Sequence, residues 1–225
     1  MIWTIPNILT FGRILAAPAL AIVFLIFERP AADWIALAIF IIAAMTDFFD
    51  GWLARRLNQI SEIGKMLDPI ADKVMVLVGL MIVLANANPL AIGAGYTTSL
   101  ILIPAAIIGL REVLISGMRE FLGDVKLPVT RIAKWKTTVQ LIAVGVALFM
   151  SAFEPGVNRA FFSAMTLNNG QIHYATPTEA LFHRIYVFAG IATVAMLWLA
   201  AILTLISGWD YFRKGLVYIR QREET

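Results

Sequence analysis

Six long apolar stretches divide the chain, and each is close to the length that a helix needs to cross a bilayer, about 20 residues. The approximate bounds of the predicted spans are 8–27, 32–57, 63–84, 98–121, 129–152 and 179–207. Hydrophobic residues make up 60% of the 225 residues and charged residues 15%, whereas soluble domains usually have about 45–50% and about 25%. The sequence therefore predicts an all-α integral membrane protein with six transmembrane helices, in which residues 1–225 form a single membrane domain.

The segments between the predicted spans are short, apart from residues 154–178, where we expect a polar loop. The N-terminal apolar stretch has no basic leader and no small-residue cleavage site, so we interpret it as the first span and not as a removable signal. The chain has no cysteine, which excludes disulfides, thiolate catalysis and cysteine-ligated zinc.

The positive charges are distributed unevenly between the two sides of the predicted bundle. With six spans both termini lie on one side, and 15 of the 18 lysines and arginines fall there. The other side keeps only Arg29, Arg159 and Arg184. Because cytoplasmic loops are enriched in lysine and arginine, we expect both termini in the cytoplasm and the basic C-terminal residues against anionic membrane lipids.

Four aspartates lie at the cytoplasmic ends of the second and third predicted spans: Asp47, Asp50, Asp68 and Asp72. An aspartate at the centre of a bilayer costs roughly 2.5–3.5 kcal/mol on insertion scales, so acidic residues within spans indicate function. Asp47 and Asp50 share a helix face at i, i+3, and Asp68 and Asp72 share one at i, i+4. The short link makes the two helices an antiparallel pair whose acidic faces can meet.

Four neighbouring carboxylates repel one another, and divalent cations between them would remove that repulsion. Mg²⁺ and Mn²⁺ prefer oxygen ligands and often complete their coordination with substrate phosphates. Zinc is disfavoured because both histidines, His173 and His183, belong to the opposite side of the predicted bundle. The sequence therefore predicts a site for Mg²⁺ or Mn²⁺.

The residues beside the aspartates suit a phosphate-containing ligand. Gly51, Ala54 and Gly64 are small enough for a bulky ligand or another backbone to approach, and Arg55 can bind a phosphate in bidentate fashion. Together they indicate a pyrophosphate-containing substrate. One alternative is a set of helix-end carboxylates that are neutralised by nearby basic residues. The basic residues in question are Arg55, Arg56, Lys65 and Lys73.

The aspartate pattern resembles the signature of the CDP-alcohol phosphotransferase family, D-x2-D-G-x2-A-R-x8-G-x3-D-x3-D, at all eight fixed positions. The resemblance implies transfer of a phosphatidyl or similar group from a CDP-linked donor to an alcohol, with release of CMP. It also implies a homodimer and a site for two metal ions built by the four aspartates, with Asp72 as general base. Gly51, Ala54, Arg55 and Gly64 would then border the CDP group.

Three further segments resemble the bacterial members of this family that use glycerol 3-phosphate as the acceptor alcohol. These segments are residues 5–14, 111–120 and 134–140. The resemblance implies CDP-diacylglycerol as donor, phosphatidylglycerophosphate as product and the bacterial cytoplasmic membrane as location, with the active site at the cytoplasmic face. No nucleic acid is expected as a partner. The basic side chains that suit the acceptor phosphate are Arg111, Arg119, Lys134 and Lys136.

The start of the first span is a candidate contact for the donor. Asn7, Thr10 and Arg13 follow one another at helical spacing, and by resemblance they contact the cytidine or the phosphates. The alternative is helix capping by Thr4 or Asn7, with Arg13 extended toward the membrane surface.

Other functions remain open on the sequence alone. The acceptor could be inositol phosphate, or phosphatidylglycerol in a cardiolipin synthase of this type, and the basic cluster could instead be a topology signal or a lipid contact. A divalent-cation transporter would also place carboxylates within spans, although transporter ions usually bind near the midplane on broken helices. The third possibility is an inactive or structural member of the family.

Overall fold

The structure, a computed structural model, describes residues 4–56, 61–86, 97–123, 131–167 and 177–223, with only the backbone described at some helical positions. Its regular elements in these ranges are all helices. In chain order they are α1 (Ile5–Ile26), α2 (Ala31–Arg56), α3 (Glu62–Ala85), α4 (Thr97–Leu122), α5 (Arg131–Leu167) and α6 (Pro177–Glu223). The predicted all-α class is confirmed, and each predicted span overlaps one helix.

Two predicted boundaries are wrong. The expected loop at 154–178 is helical through Leu167 and again from Pro177, and α6 continues past the predicted end at residue 207 to Glu223. An apolar stretch indicates where a helix can be buried in lipid, whereas its backbone hydrogen bonds can continue wherever water solvates the side chains. The length of the apolar stretches therefore underestimated the length of α5 and α6.

Four stretches in the described part of the chain are long and apolar enough to cross a membrane. They are Ile5–Ile26, Ser99–Leu122, Trp135–Phe153 and His183–Gln221. Large apolar side chains such as Leu15, Leu25, Ile42 and Phe188 point outward, as expected for residues that face lipid. The molecule thus has the character of a membrane protein, and the count of six spans stays a prediction.

Helix α1 lies between the two helices that carry the aspartates. It packs along both α2 and α3, which make few contacts with each other, while α6 packs against α4 and α5. The core between α2, α3 and α5 is tight at Gly79, where an added Cβ atom would lie 2.7 Å from Cγ1 of Val144. The small residue therefore sets how closely α3 approaches α5.

A second polar cluster ties the start of α2 to α5, away from the aspartates. Asp33 is fully buried, and its carboxylate accepts hydrogen bonds from Arg29 at 2.9 Å and from Ser151 Oγ at 2.6 Å. Arg29 Nη2 also donates to Ser151 Oγ at 2.8 Å. A buried carboxylate with this many partners is satisfied, so we interpret the cluster as structural.

Candidate active site

Arg13 links the acid-bearing helices. Its Nη1 atom donates to Oδ1 of Asp72 at 2.6 Å and also to Oδ1 of Asp47. The Arg13 side chain is 2% exposed, whereas each aspartate side chain is 42% exposed. The expected direct pairing of α2 and α3 is therefore replaced by contacts through α1, and Arg13 supplies the positive charge between the two carboxylates.

Asp68 has a neutral partner on α1. The hydroxyl of Thr10 lies 2.7 Å from Oδ1 of Asp68 and 3.1 Å from the carbonyl oxygen of Pro6. Thr10 is 1% exposed, so it forms part of the contact between α1 and α3. The predicted donor-binding residues Thr10 and Arg13 are thus both in direct contact with the aspartates.

Asn7 and Gly64 meet at the start of α3. Ser61 is the N-cap of this helix: its Oγ accepts a hydrogen bond from the backbone N–H of Gly64 at 3.0 Å and donates one to Asn7 Oδ1 at 2.7 Å. A Cβ atom at position 64 would lie 2.9 Å from Asn7 Oδ1. Gly64 therefore permits the close approach of α1 to α3, and Asn7 is buried in that contact.

Five of the predicted site residues lie outside what the structure describes at side-chain level. Asp50, Gly51, Ala54 and Arg55 belong to the last turns of α2, and Lys134 belongs to the first turn of α5. Their positions in these helices are as predicted, but their surroundings are not part of the described structure.

A cavity of about 410 Å³ opens beside Asp72 and contains three of the four predicted acceptor-binding residues, Arg111, Arg119 and Lys136. Helices α3, α4 and α5 form its walls. Among the described residues, its lining is Pro69, Asp72, Lys73, Val76, Arg111, Glu112, Arg119, Lys136, Thr137 and Gln140. The structure therefore brings the predicted general base and the predicted phosphate-binding cations into one space.

Glu112 neutralises part of the basic cluster. Its Oε1 atom accepts hydrogen bonds from Lys136 Nζ and, at 3.3 Å, from Nη1 of Arg111. Arg111 also donates from Nη2 to Ser207 Oγ on α6 at 3.3 Å. Its Nε atom is buried and has no hydrogen-bond partner in the described part of the chain. The guanidinium of Arg111 is thus held on two sides and retains an unused donor.

Arg119 is the most exposed of the three predicted cations that are described. Its guanidinium carbon lies 5.4 Å from the centroid of the Tyr211 ring on α6, a distance at which a cation is attracted to the aromatic face. Tyr211 therefore helps to hold the Arg119 side chain, which lines the cavity. The sequence did not indicate this role for Tyr211.

Lys73 is a cavity residue that the sequence reasoning did not assign to the acceptor. The sequence indicated Lys73 only as a partner for the aspartates, but its Nζ atom donates to Ser116 Oγ on α4 at 2.5 Å. The position of Lys73 next to Asp72 could have indicated this role, because adjacent residues of a helix point about 100° apart. Asp72 can therefore face α1 while Lys73 faces α4.

The aspartates have the chemistry of a metal site, although their described arrangement is not a ready-made one. No three histidine, aspartate or glutamate side chains converge on one point among the residues described. However, two carboxylate oxygens converge on the single Nη1 atom of Arg13, so a small cation placed there would find hard oxygen ligands. The chemistry of these residues therefore fits a hard divalent cation, and the guanidinium of Arg13 lies between the two carboxylates.

Comparisons with known proteins agree with the signature in the sequence. The family model for CDP-alcohol phosphatidyltransferase matches residues 3–209. A protein of Cereibacter sphaeroides named CDP-diacylglycerol–glycerol-3-phosphate 3-phosphatidyltransferase is 44% identical over 99% of this chain and 100% of its own length. Proteins of the same name from Rickettsia bellii and Haemophilus influenzae are 35% and 37% identical, over 93% and 66% of this chain and 93% and 77% of their own.

Proposed function

This chain belongs to the CDP-alcohol phosphatidyltransferase family, and on that premise we propose that it transfers the phosphatidyl group of CDP-diacylglycerol to glycerol 3-phosphate. The products are phosphatidylglycerophosphate and CMP, and the reaction is a step of phospholipid synthesis. The observation that carries this proposal is the cavity in which the Asp72 carboxylate and a group of cationic side chains lie together. An acceptor with a reacting hydroxyl and a phosphate needs both.

The reaction is a phosphoryl-type displacement. A hydroxyl oxygen of glycerol 3-phosphate forms a bond to the β-phosphorus of CDP-diacylglycerol, and the bond from that phosphorus to the bridging oxygen breaks, so that CMP leaves. Asp72 lines the cavity, and we assign it as the general base that takes the proton of the attacking hydroxyl. Arg111, Arg119, Lys134 and Lys136 bind the phosphate of the acceptor and orient it.

Divalent metal ions are generally used in this family, and we assign them here to Asp47, Asp50, Asp68 and Asp72. Two bound ions, Mg²⁺ or Mn²⁺, would neutralise the pyrophosphate and stabilise the leaving CMP. The role of the chain is to hold hard oxygen ligands on adjoining helices. Asp47 and Asp72 approach closely enough to bond one atom of Arg13, which supports a shared cation site.

The acceptor would bind in the cavity between α3, α4 and α5, and the donor would bind on the side of the aspartates that faces α1 and α2. We assign its CDP group to Asn7, Thr10 and Arg13 on α1, together with Gly51, Ala54, Arg55 and Gly64. An open apolar groove of about 440 Å³ runs between α2 and α5. It shares Ala44 and Leu141 with a small cavity that touches Asp47 and Asp72, which supports a donor with apolar chains.

We further assign six spans to the six helices, with both termini in the cytoplasm, the active site at the cytoplasmic face of the bacterial cytoplasmic membrane, and a homodimer as the functional unit. Because the chain has no cysteine, single introduced cysteines test the topology without background. Cysteine at Lys214 should be labelled by an impermeant thiol reagent only from the cytoplasmic side, and cysteine at Arg184 only from the outside. The reverse result would overturn the orientation.

The reaction is tested with purified protein in detergent by following CMP release from CDP-diacylglycerol with Mg²⁺ or Mn²⁺. Glycerol 3-phosphate, inositol phosphate, serine and phosphatidylglycerol are compared as acceptors, with Asp72→Asn as control. We expect turnover only with glycerol 3-phosphate and only in the unaltered protein. Turnover with another acceptor would overturn the acceptor assignment. Metal flux into proteoliposomes without CMP release would favour a transporter instead.

A further inference from the structure

The α3 wall of the cavity carries a carboxylate and an ammonium group on consecutive residues. Asp72 turns toward α1, where it bonds Arg13, and Lys73 turns toward α4, where it bonds Ser116. Both side chains also line the 410 Å³ cavity. A ligand in this space therefore meets the proposed base and a lysine on the same rigid helix.

The charges around the cavity are not balanced. Among the residues that the structure describes, four cationic side chains and two carboxylates line it, and their formal charges add up to +2 when all are ionised. A phosphate monoester carries about −1.5 to −2 at neutral pH. The imbalance thus matches one phosphate group, and Lys73 supplies one of the positive charges that produce it.

The partners of the lysines differ in a way that indicates their use. Lys136 is buried and paired with the Glu112 carboxylate, so part of its charge is already compensated. Lys73 has a neutral partner, the Ser116 hydroxyl, which itself donates to the backbone carbonyl of Glu112 at 2.5 Å. Among the described residues Lys73 forms no ion pair. Its charge is consequently available to an anion in the cavity, while Ser116 holds the ammonium group in place.

We propose that Lys73 is a binding residue for the phosphate of the acceptor, held in position by Ser116. The acceptor phosphate would therefore be bound by a residue of α3 as well as by residues of α4 and α5. This proposal rests on the proposed function, since it names a further contact of the same substrate. Lys73 could instead serve as a counter-ion for the adjacent aspartates. Its substitution would then change the KM for the donor or the metal requirement, and not the KM for the acceptor.

Steady-state kinetics separates these uses. Lys73→Met should raise the KM for glycerol 3-phosphate about ten- to hundredfold, the effect expected for loss of a charge-assisted hydrogen bond. The KM for CDP-diacylglycerol should not change, and Lys73→Arg should restore part of the acceptor affinity. Lys214→Met is the matched control, because Lys214 pairs with Asp210 on α6 outside the cavity. It should leave both KM values unchanged.

Ser116→Ala provides a second, milder variant in case Lys73→Met folds poorly. It removes only the hydroxyl that holds the ammonium group and should raise the acceptor KM several-fold. Unchanged acceptor KM in both variants would overturn the proposal, as would a rise confined to CDP-diacylglycerol or to the Mn²⁺ requirement.

Direct binding distinguishes failure of this proposal from failure of the proposed function. Calorimetric titration of glycerol 3-phosphate into detergent-solubilised protein, without donor, should show binding that Lys73→Met weakens. If the unaltered protein turns over glycerol 3-phosphate but Lys73→Met binds it equally well, the role of Lys73 is wrong and the function stands. If the unaltered protein does not turn it over, inorganic phosphate replaces it as the probe. Weaker binding of inorganic phosphate by Lys73→Met would then support Lys73 as an anion-binding residue, whereas equal binding would overturn that role.

Discussion

Arg13 Nη1 lies 2.6 Å from Asp72 Oδ1, and this contact connects the first helix to the proposed catalytic base. The same atom bonds Asp47. A buried guanidinium between two carboxylates has the electrostatic role that a bound cation would have, because it removes their mutual repulsion. Arg13 therefore compensates the acidic site from within the chain, and a metal ion bound at Asp47 and Asp72 would compete with Arg13 for the same oxygen atoms.

Arg13→Gln should destabilise the metal-free protein and increase its response to metal. Loss of the guanidinium leaves two carboxylates uncompensated; because both are partly exposed, we expect a cost of about 1–3 kcal/mol, below that for breaking a fully buried pair. Thermal unfolding in detergent, with and without Mn²⁺, measures both effects. The Mn²⁺-induced rise in Tm should be larger in Arg13→Gln than in the unaltered protein, with Arg13→Lys in between. Equal rises would contradict the competition.

Asp72→Asn should abolish turnover while leaving the fold intact. Removal of a general base typically costs about 10²- to 10⁴-fold in rate, and loss of a metal ligand adds to that. CMP release measures the rate, and size-exclusion chromatography with thermal unfolding verifies the fold. Asp210→Asn, which alters a partly exposed helical ion pair on α6, is the control and should keep full activity. A folded Asp72→Asn protein with near-normal kcat would remove Asp72 from the mechanism.

The Glu112–Lys136 pair should behave as one unit in a double-mutant cycle. Glu112→Gln leaves the buried Lys136 ammonium without its counter-ion, and Lys136→Met leaves Glu112 with only the longer contact to Arg111. Each variant should therefore lower the free energy of unfolding, and Glu112→Gln should do so more strongly. The double variant should be destabilised less than the sum of the two, with a coupling energy of about 1–3 kcal/mol. Denaturant or thermal unfolding of the four proteins provides the cycle. Additive effects would mean that the two side chains do not interact.

Gly208→Ala should weaken binding of the acceptor because the added methyl group displaces the Arg111 side chain. A Cβ atom at position 208 on α6 would lie 3.0 Å from Cγ of Arg111 and 3.3 Å from its Nε atom, so the arginine must shift. We expect the KM for glycerol 3-phosphate to rise several-fold with little change in the KM for CDP-diacylglycerol. Gly117→Ala is the matched control, since a Cβ atom there meets nothing within 4 Å. The same kinetics in both variants would show that Arg111 tolerates the shift.

The sequence predicted the helices and the type of reaction better than the contacts between side chains of different helices. Helical spacing was sufficient to place Asp68 and Asp72 on one face, and apolar length was sufficient to locate the helices. Neither helical spacing nor apolar length indicates how helices that are distant in the chain pack against one another. Arg13 is 34 residues from Asp47 and 59 from Asp72, so its position between them depends on α1 lying between α2 and α3. The same holds for Lys73 and Ser116, 43 residues apart.

The position of α1 between α2 and α3 also bears on how the protein is made. Arg13, Asp47, Asp68 and Asp72 all belong to the first three helices, whereas Arg111, Arg119 and Lys136 belong to α4 and α5. Translation proceeds from the N-terminus, so the acidic centre and its internal arginine can assemble while the later helices are still on the ribosome. The site for the acceptor closes only when α4 and α5 arrive. If the first three helices assemble before α4 and α5 are made, Arg13 would already remove the repulsion between Asp47 and Asp72 at that stage.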